Sequence, residues 1–116
     1  MTTLETETRT AGQATVVSLA GELTINTVQD AEAVLRAAAG HDRPDLVLDL
    51  GGLRFMDSMG LRAVLHARRS VVAKDGRLVL AALQPTVARV LDLAGLREHI
   101  TVCSTTDEAL KNLRPR

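Results

Sequence analysis

Leu46-Val47-Leu48-Asp49-Leu50-Gly51-Gly52-Leu53-Arg54-Phe55-Met56-Asp57-Ser58-Met59-Gly60-Leu61-Arg62-Ala63-Val64-Leu65 is the stretch on which the fold turns. Leu46 to Leu50 is a near-continuous apolar run, the pattern of a strand buried on both faces in a parallel sheet. Gly51-Gly52 reads as a turn; with no Gly-Lys-Ser run behind it, it is not a phosphate loop. From Ser58 onward the apolar spacing is helical. Asp57 or Ser58 can cap that helix, because a short polar side chain accepts a bond from a first-turn N–H. A hydroxyl is thus held at a helix N-terminus beyond the end of a central strand, where sites in open α/β sheets gather.

Working outward, the helix after Ser58 should run to about Lys74, burying Leu61, Val64, Leu65, Val71 and Val72. Arg62, His66 and Arg69 form a wet stripe on it, and Asp75-Gly76 ends it. Upstream, residues 3–9 alternate Thr with Leu, Glu and Arg and suit an edge strand. Gly12-Gln13 turns this into a second strand over 14–20, and Gly21-Glu22-Leu23-Thr24 breaks it. Thr24 or Asn26 caps a helix over 27–39, with Val28, Ala31, Val34, Leu35 and Ala38 at helical spacing and Gly40 as its stop. Downstream come a buried strand over 77–83, then a helix over 85–94 opened by Pro85, burying Val87, Val90, Leu91 and Ala94, and stopped by Gly95. A short strand over 100–103 follows, then a helix over 107–113 capped by Thr105 or Thr106; Thr105 and Glu108 have capping-box spacing. Residues 113–116 should fray. The order β-β-α-β-α-β-α-β-α predicts an α/β fold, a mixed and mostly parallel sheet of about five strands with four helices, in one domain over 1–116.

Composition narrows the function. With 14 Lys+Arg against 14 Asp+Glu the formal net charge is zero, so the basic surplus of a nucleic-acid binder is missing. One Phe, no Tyr and no Trp leave no platform for stacking bases. Cys103 is the single cysteine, which excludes an internal disulfide and fits a reducing compartment; its place in a strand marks it as a small core hydrophobe. Residues 1–7 lack the basic and apolar regions of a signal peptide, and no apolar run approaches the roughly 18 residues of a membrane span, so a cytoplasmic location is expected.

Asp57-Ser58-Met59-Gly60 carries the sharpest signal. Read alone it is a helix cap, since Asp and Ser are the default capping residues. Gly60 adds something, because glycine inside a first turn costs roughly 1 kcal/mol against alanine and so points to a close approach by another group. The run Leu48-Asp49-Leu50 … Phe55-Met56-Asp57-Ser58-Met59-Gly60-Leu61 resembles the signature of the anti-sigma factor antagonists, which carry the STAS domain. Gly21-Glu22-Leu23 is similar to the family's Gly-Glu-Leu-Asp turn, Leu91-Asp92-Leu93-Ala94-Gly95-Leu96 resembles the end of its third helix, and the likeness covers essentially the whole chain.

The resemblance implies a STAS-like domain that is a binding module, not an enzyme, and needs no cofactor of its own. It implies that Ser58 is phosphorylated by a partner serine kinase that doubles as the anti-sigma factor. The partner surface would comprise Glu22, Thr24, Asp57, Met59, Gly60, Leu61 and Arg62. Binding would release a sigma factor, phosphorylation would abolish binding, and a PP2C-type phosphatase would reverse it. No nucleic acid or membrane span is expected, and a weak homodimer stays open. Two positions depart from the family pattern. Met59 stands where a second Ser or Thr often follows the phospho-serine, leaving one acceptor and an apolar side chain towards the partner. Thr24 replaces the Asp, keeping a cap but losing a carboxylate. The other reading under the same resemblance is a STAS scaffold subunit of a lipid-transport ABC complex or a stress-sensing assembly.

A serine hydrolase competes for Ser58 but lacks parts. Of the three histidines, His66 lies two turns along the same helix, about 12 Å away, and His41 and His99 fall in loops. Met56 stands where a nucleophile elbow needs glycine. One Cys and three scattered His offer no metal-ligand spacing.

Overall fold

Along the chain the elements follow in the order β1 Leu4–Ala11, β2 Ala14–Leu23, α1 Val28–Ala38, β3 Asp45–Met56, α2 Ser58–Ala73, β4 Arg77–Ala81, α3 Pro85–Leu93, β5 Thr101–Cys103 and α4 Thr106–Asn112. The computed structural model describes residues 3–115, so Met1 and Thr2 of the N-terminal reading and Arg116 of the expected frayed tail lie outside it. The five strands form one sheet in the order β1-β2-β3-β4-β5. β1 and β2 are an antiparallel hairpin, and β2 through β5 are parallel. The mixed, mostly parallel α/β architecture expected from the element order is the one observed.

Two cores flank the sheet. The larger lies under α1, α2 and α3 and includes Val17, Leu19, Leu35, Leu46, Leu48, Leu50, Val64, Leu80 and Leu91. The smaller joins Val16, Val47 and Val79 to Ala109 and Leu113 at α4. Each fully buried Leu or Val contributes roughly 1.5–3 kcal/mol relative to exposure. Val47 between Leu46 and Leu48 shows why β3 reads as a continuous apolar run, since both its faces are covered.

Several boundaries depart from expectation, and the two largest position the site. β2 does not break at Gly21 but continues to Leu23, and β3 does not turn at Gly51-Gly52 but continues to Met56. The extra length is held by bulges, with register shifts between Ser18 and Ala20 and between Gly21 and Glu22 of β2. The core-facing series Leu46, Leu48, Leu50 therefore steps by three to Leu53 and again to Met56. Gly52 is glycine because a Cβ there would stand 2.8 Å from Ala20 Cβ. The Asp49 carboxylate accepts from Gly51 N–H at 2.9 Å and holds the first bulge.

Smaller corrections follow the same logic of packing. Val72 is 52% exposed, while Gly60, Ala63 and Ala67 supply much of the buried face of α2 and Leu61 and Leu65 are half-buried. Ala94 is exposed and caps α3. β4 ends at Ala81 rather than residue 83. Leu113 does not fray: it is buried, and its carbonyl accepts from Arg77 Nη2 at 3.2 Å. That guanidinium also grips Asp45 in a two-point pair, Nε to Oδ1 at 3.0 Å and Nη2 to Oδ2 at 2.7 Å. Asp45 holds the Arg77 pKa above its ordinary value, chiefly through this hydrogen bonding.

β3 is paired with β4 only as far as Asp49, so its last seven residues overhang with β2 on one side alone. The open side is plugged by side chains: Gln84 Nε2 donates to Gly51 O and Thr86 Oγ1 donates to Arg54 O, each at 2.7 Å.

Candidate functional site

The overhanging ends of β2 and β3 form the platform for residues 57–62. Asp57 is the cap of α2, its Oδ1 accepting from Gly60 N–H at 2.9 Å. Its Oδ2 accepts from Ile25 N–H at 3.0 Å, and its own N–H donates to Leu23 O at 3.1 Å. One residue thus fixes the helix start, the end of β2 and the loop behind it.

That loop, 24–27, is built on two threonines. Thr27 is the residue before α1 but makes no side-chain cap; its hydroxyl donates to Glu22 O at 2.8 Å and accepts from Thr24 N–H at 3.0 Å. Thr24 Oγ1 accepts from Asn26 N–H at 3.2 Å in a local turn. Neither Thr24 nor Asn26 caps α1 as the sequence suggests: the Thr24 hydroxyl is taken up in the preceding turn, and Thr27 holds the cap position.

Ser58 is the first residue of α2 and is exposed. Leu61, Arg62, Leu65, His66 and Arg69 line a shallow groove running from it along the helix. The expected wet stripe of Arg62, His66 and Arg69 is exposed throughout. α2 contains no acidic residue, and no ion pair engages Arg62 or Arg69 among the described residues. His66 borders the groove, but among the described residues no hydrogen bond orients it as a base would need. No three His, Cys, Asp or Glu side chains of the described residues are grouped to hold a metal ion.

The remaining expected site residues divide by burial. Glu22 is half-buried and pairs with Arg54 at 3.6 Å; Met59 and Leu61 are half-buried beside Ser58. Thr24 is 8% exposed and Gly60 is buried, so these two shape the surface through backbone rather than contact. The close approach that Gly60 signals is internal: a Cβ there would lie 2.6 Å from Leu23 O and 2.9 Å from Met56 Cγ.

Sequence reasoning missed two residues on this rim. Ile25, on the loop, is 63% exposed and its N–H bonds to Asp57; Phe55 is 48% exposed, two residues before Asp57 at the end of β3. Phe55 carried a signal, being the one aromatic residue of the chain; the second bulge turns it out of the core. Exposed apolar side chains beside a polar centre are the usual makings of a protein-binding surface.

Comparison with known proteins points the same way. The STAS domain family matches residues 5–109. An anti-sigma F factor antagonist of Paenibacillus polymyxa is 33% identical over 103 residues, covering 84% of this chain and 85% of that protein. The crystal structure of an anti-sigma factor antagonist from Mycobacterium paratuberculosis superposes with a TM-score of 0.88 at 27% identity, over 97% of this chain and 96% of that one. The Bacillus cell fate determinant SpoIIAA in its phosphorylated form superposes with a TM-score of 0.75 at 27% identity, over 95% of this chain and 100% of that one. No helix among the described residues is long and apolar enough to cross a membrane.

Proposed function

The chain belongs to the STAS domain family, and from that premise we propose that it is a phosphorylation-switched anti-sigma factor antagonist acting in the cytoplasm. It binds an anti-sigma factor serine kinase through the rim around Ser58, and so frees a sigma factor for transcription. The kinase phosphorylates Ser58, which ends the binding, and a PP2C-type phosphatase restores it. Contact comes from Glu22, Asp57, Met59, Leu61 and Arg62, with Ile25 and Phe55 as apolar anchors; Thr24 and Gly60 set the backbone beneath them.

The position of Ser58 carries this reading. Its hydroxyl is exposed at the first turn of a capped helix, set on a platform paired with β2 on one side and tied by Gln84 and Thr86 on the other. A phosphate there adds about −1.5 to −2 charges. The helix N-terminus favours it by roughly 0.3–1 kcal/mol, so the fold has no reason to change. Arg62, one turn along, can pair with it, and an exposed pair contributes about 1 kcal/mol or less. A docked kinase would have to desolvate the dianion, at a cost of several kcal/mol. The interface cost outweighs the local gain, and the switch works by blocking contact.

The test is incubation with the cognate kinase and ATP, followed by mass spectrometry and calorimetry. One phosphate on Ser58, with binding lost, is the expected result. Label on Ser70 or Thr105 in place of Ser58 refutes the assignment.

A further inference from the structure

β1 is an open edge. Its eight residues pair with β2 in an unbroken register from Leu4↔Gly21 to Ala11↔Ala14, and among the described residues no strand pairs with its other side. Edges are ordinarily kept from pairing by shortness, a proline, a bulge, a lysine or a covering segment. The other edges of this sheet follow that rule. β5 has three residues, and the overhang of β3 is plugged by Gln84 and Thr86. β1, Leu-Glu-Thr-Glu-Thr-Arg-Thr-Ala, is eight residues long with no proline, lysine or bulge, and its charges, Glu5, Glu7 and Arg9, are of both signs, so they bar some registers of pairing and favour another.

Its outward groups can be identified. Glu22 N–H donates to Thr3 O, and Ala11 and Ala14 flank the two-residue turn Gly12-Gln13, so odd-numbered residues bond inward to β2. Leu4, Thr6, Thr8 and Thr10 therefore turn their N–H and C=O groups outward. Glu7 and Arg9 project on the α4 face of the sheet, opposite Ser18 and Val16, and the threonines on the other.

We propose that β1 is a self-association edge, through which two copies of the chain pair antiparallel about a two-fold axis at Thr8. The charge pattern selects this register. Each copy's Glu7 then stands opposite the other's Arg9, twice over, while Thr8 faces Thr8 and Thr6 faces Thr10. About six outward hydrogen bonds close, and the Glu–Arg pairs fall at the positions of closest side-chain approach. Moving the axis to Glu7 sets Glu7 against Glu7, and moving it to Thr6 sets Glu5 against Glu7. The axis at Thr8 lies near the middle of β1, and the antiparallel pairing carries the two Leu4 ends, each beside Gly21 and Glu22, to opposite ends of the paired strands. The two Ser58 rims thus point in opposite directions and stay open, and the inference does not depend on the role given to Ser58. A single strand pair buries little area, so the dimer is a weak one.

The test is sedimentation of the full chain from about 10 μM to about 1 mM, a range that brackets such affinities, together with cross-linking in a Cys103→Ser background. At a hydrogen-bonded antiparallel pair the Cα atoms stand about 5.5 Å apart, within disulfide reach. Thr8→Cys should cross-link under mild oxidation at least about tenfold faster than Asn112→Cys, an exposed control on α4. Arg9→Glu should weaken association about tenfold, the equivalent of about 1.4 kcal/mol, and Glu7→Arg combined with Arg9→Glu should restore it. A chain that stays monomeric throughout overturns the proposal, as does a dimer indifferent to Arg9→Glu, or Glu7→Cys cross-linking in preference to Thr8→Cys.

Discussion

Replacing Gly60 by alanine sets two effects of opposite sign against each other. In an isolated helix the change would gain about 1 kcal/mol, the propensity difference between the two residues. In this structure the new methyl would stand 2.6 Å from Leu23 O, 2.8 Å from Leu23 Cγ and 2.9 Å from Met56 Cγ. Comfortable contacts begin near 3.5 Å, so the helix start has to move by about 1 Å. Leu23 O cannot simply withdraw, because it accepts the Asp57 N–H at 3.1 Å. Overpacking of this kind costs about 1–3 kcal/mol, and loosening the Asp57 bond about 1 kcal/mol more. After the propensity gain is subtracted, Gly60→Ala should destabilise by about 1–3 kcal/mol, a fall in Tm of roughly 5–15 °C for a domain of this size. Urea denaturation at constant m-value measures it. A rise in stability of about 1 kcal/mol would mean that α2 does not rest on the ends of β2 and β3, and would sink the account of the platform.

Other expectations can be checked on the same preparations. Ser58→Asp should bind the anti-sigma factor about a thousandfold more weakly than Ser58→Ala, from roughly 4 kcal/mol of uncompensated desolvation, with both Tm values near that of the unchanged protein; calorimetry reporting equal affinities would refute this. Arg77→Ala strips the guanidinium from Asp45 and from the Leu113 carbonyl. It should cost about 1–3 kcal/mol and speed hydrogen exchange in α4, and unchanged α4 protection would show that the pair does not hold that helix. The Cys103 thiol is pushed up from its ordinary pKa by partial burial and then by the Glu108 carboxylate. Iodoacetamide should therefore label it more slowly than an unperturbed cysteine at neutral pH, and Glu108→Gln should hasten the reaction; labelling that is fast and unaffected by Glu108→Gln contradicts both causes.

How much of this could be read from the residues depended on whether the signal was local. The order of elements was legible because apolar periodicity changes from strand to helix at each boundary, and the Thr105 cap of α4 was legible because its partner, Glu108 N–H, is three residues away. Ser58 at the start of α2, with the stripe of Arg62, His66 and Arg69, was legible for the same reason. Gly21, Gly51 and Gly52 misled because glycine marks both turns and places where two backbones approach, and only the strand pairing distinguishes them. Gly52 faces Ala20, thirty-two residues earlier. The bulges that follow also decided the fate of Phe55: strict alternation cannot predict a side chain that lies beyond an extra residue. Ile25 was silent because the loop holding it outward is tied by Asp57, far along the chain.

The double duty of Asp57 limits what substitution can do at this position. Two N–H groups, from Gly60 and from Ile25, each take one of its carboxylate oxygens. Serine and threonine cap helices well but have a single oxygen, and asparagine would turn an NH₂ towards one of the two donors. Glutamate keeps both oxygens but carries them on a stem one methylene longer than the gap. The residue before Ser58 therefore has almost no neighbours in sequence space that leave both the helix start and the loop intact. Met59, whose side chain serves neither N–H, carries no such constraint, so the residue on the other side of Ser58 can vary without touching the scaffold.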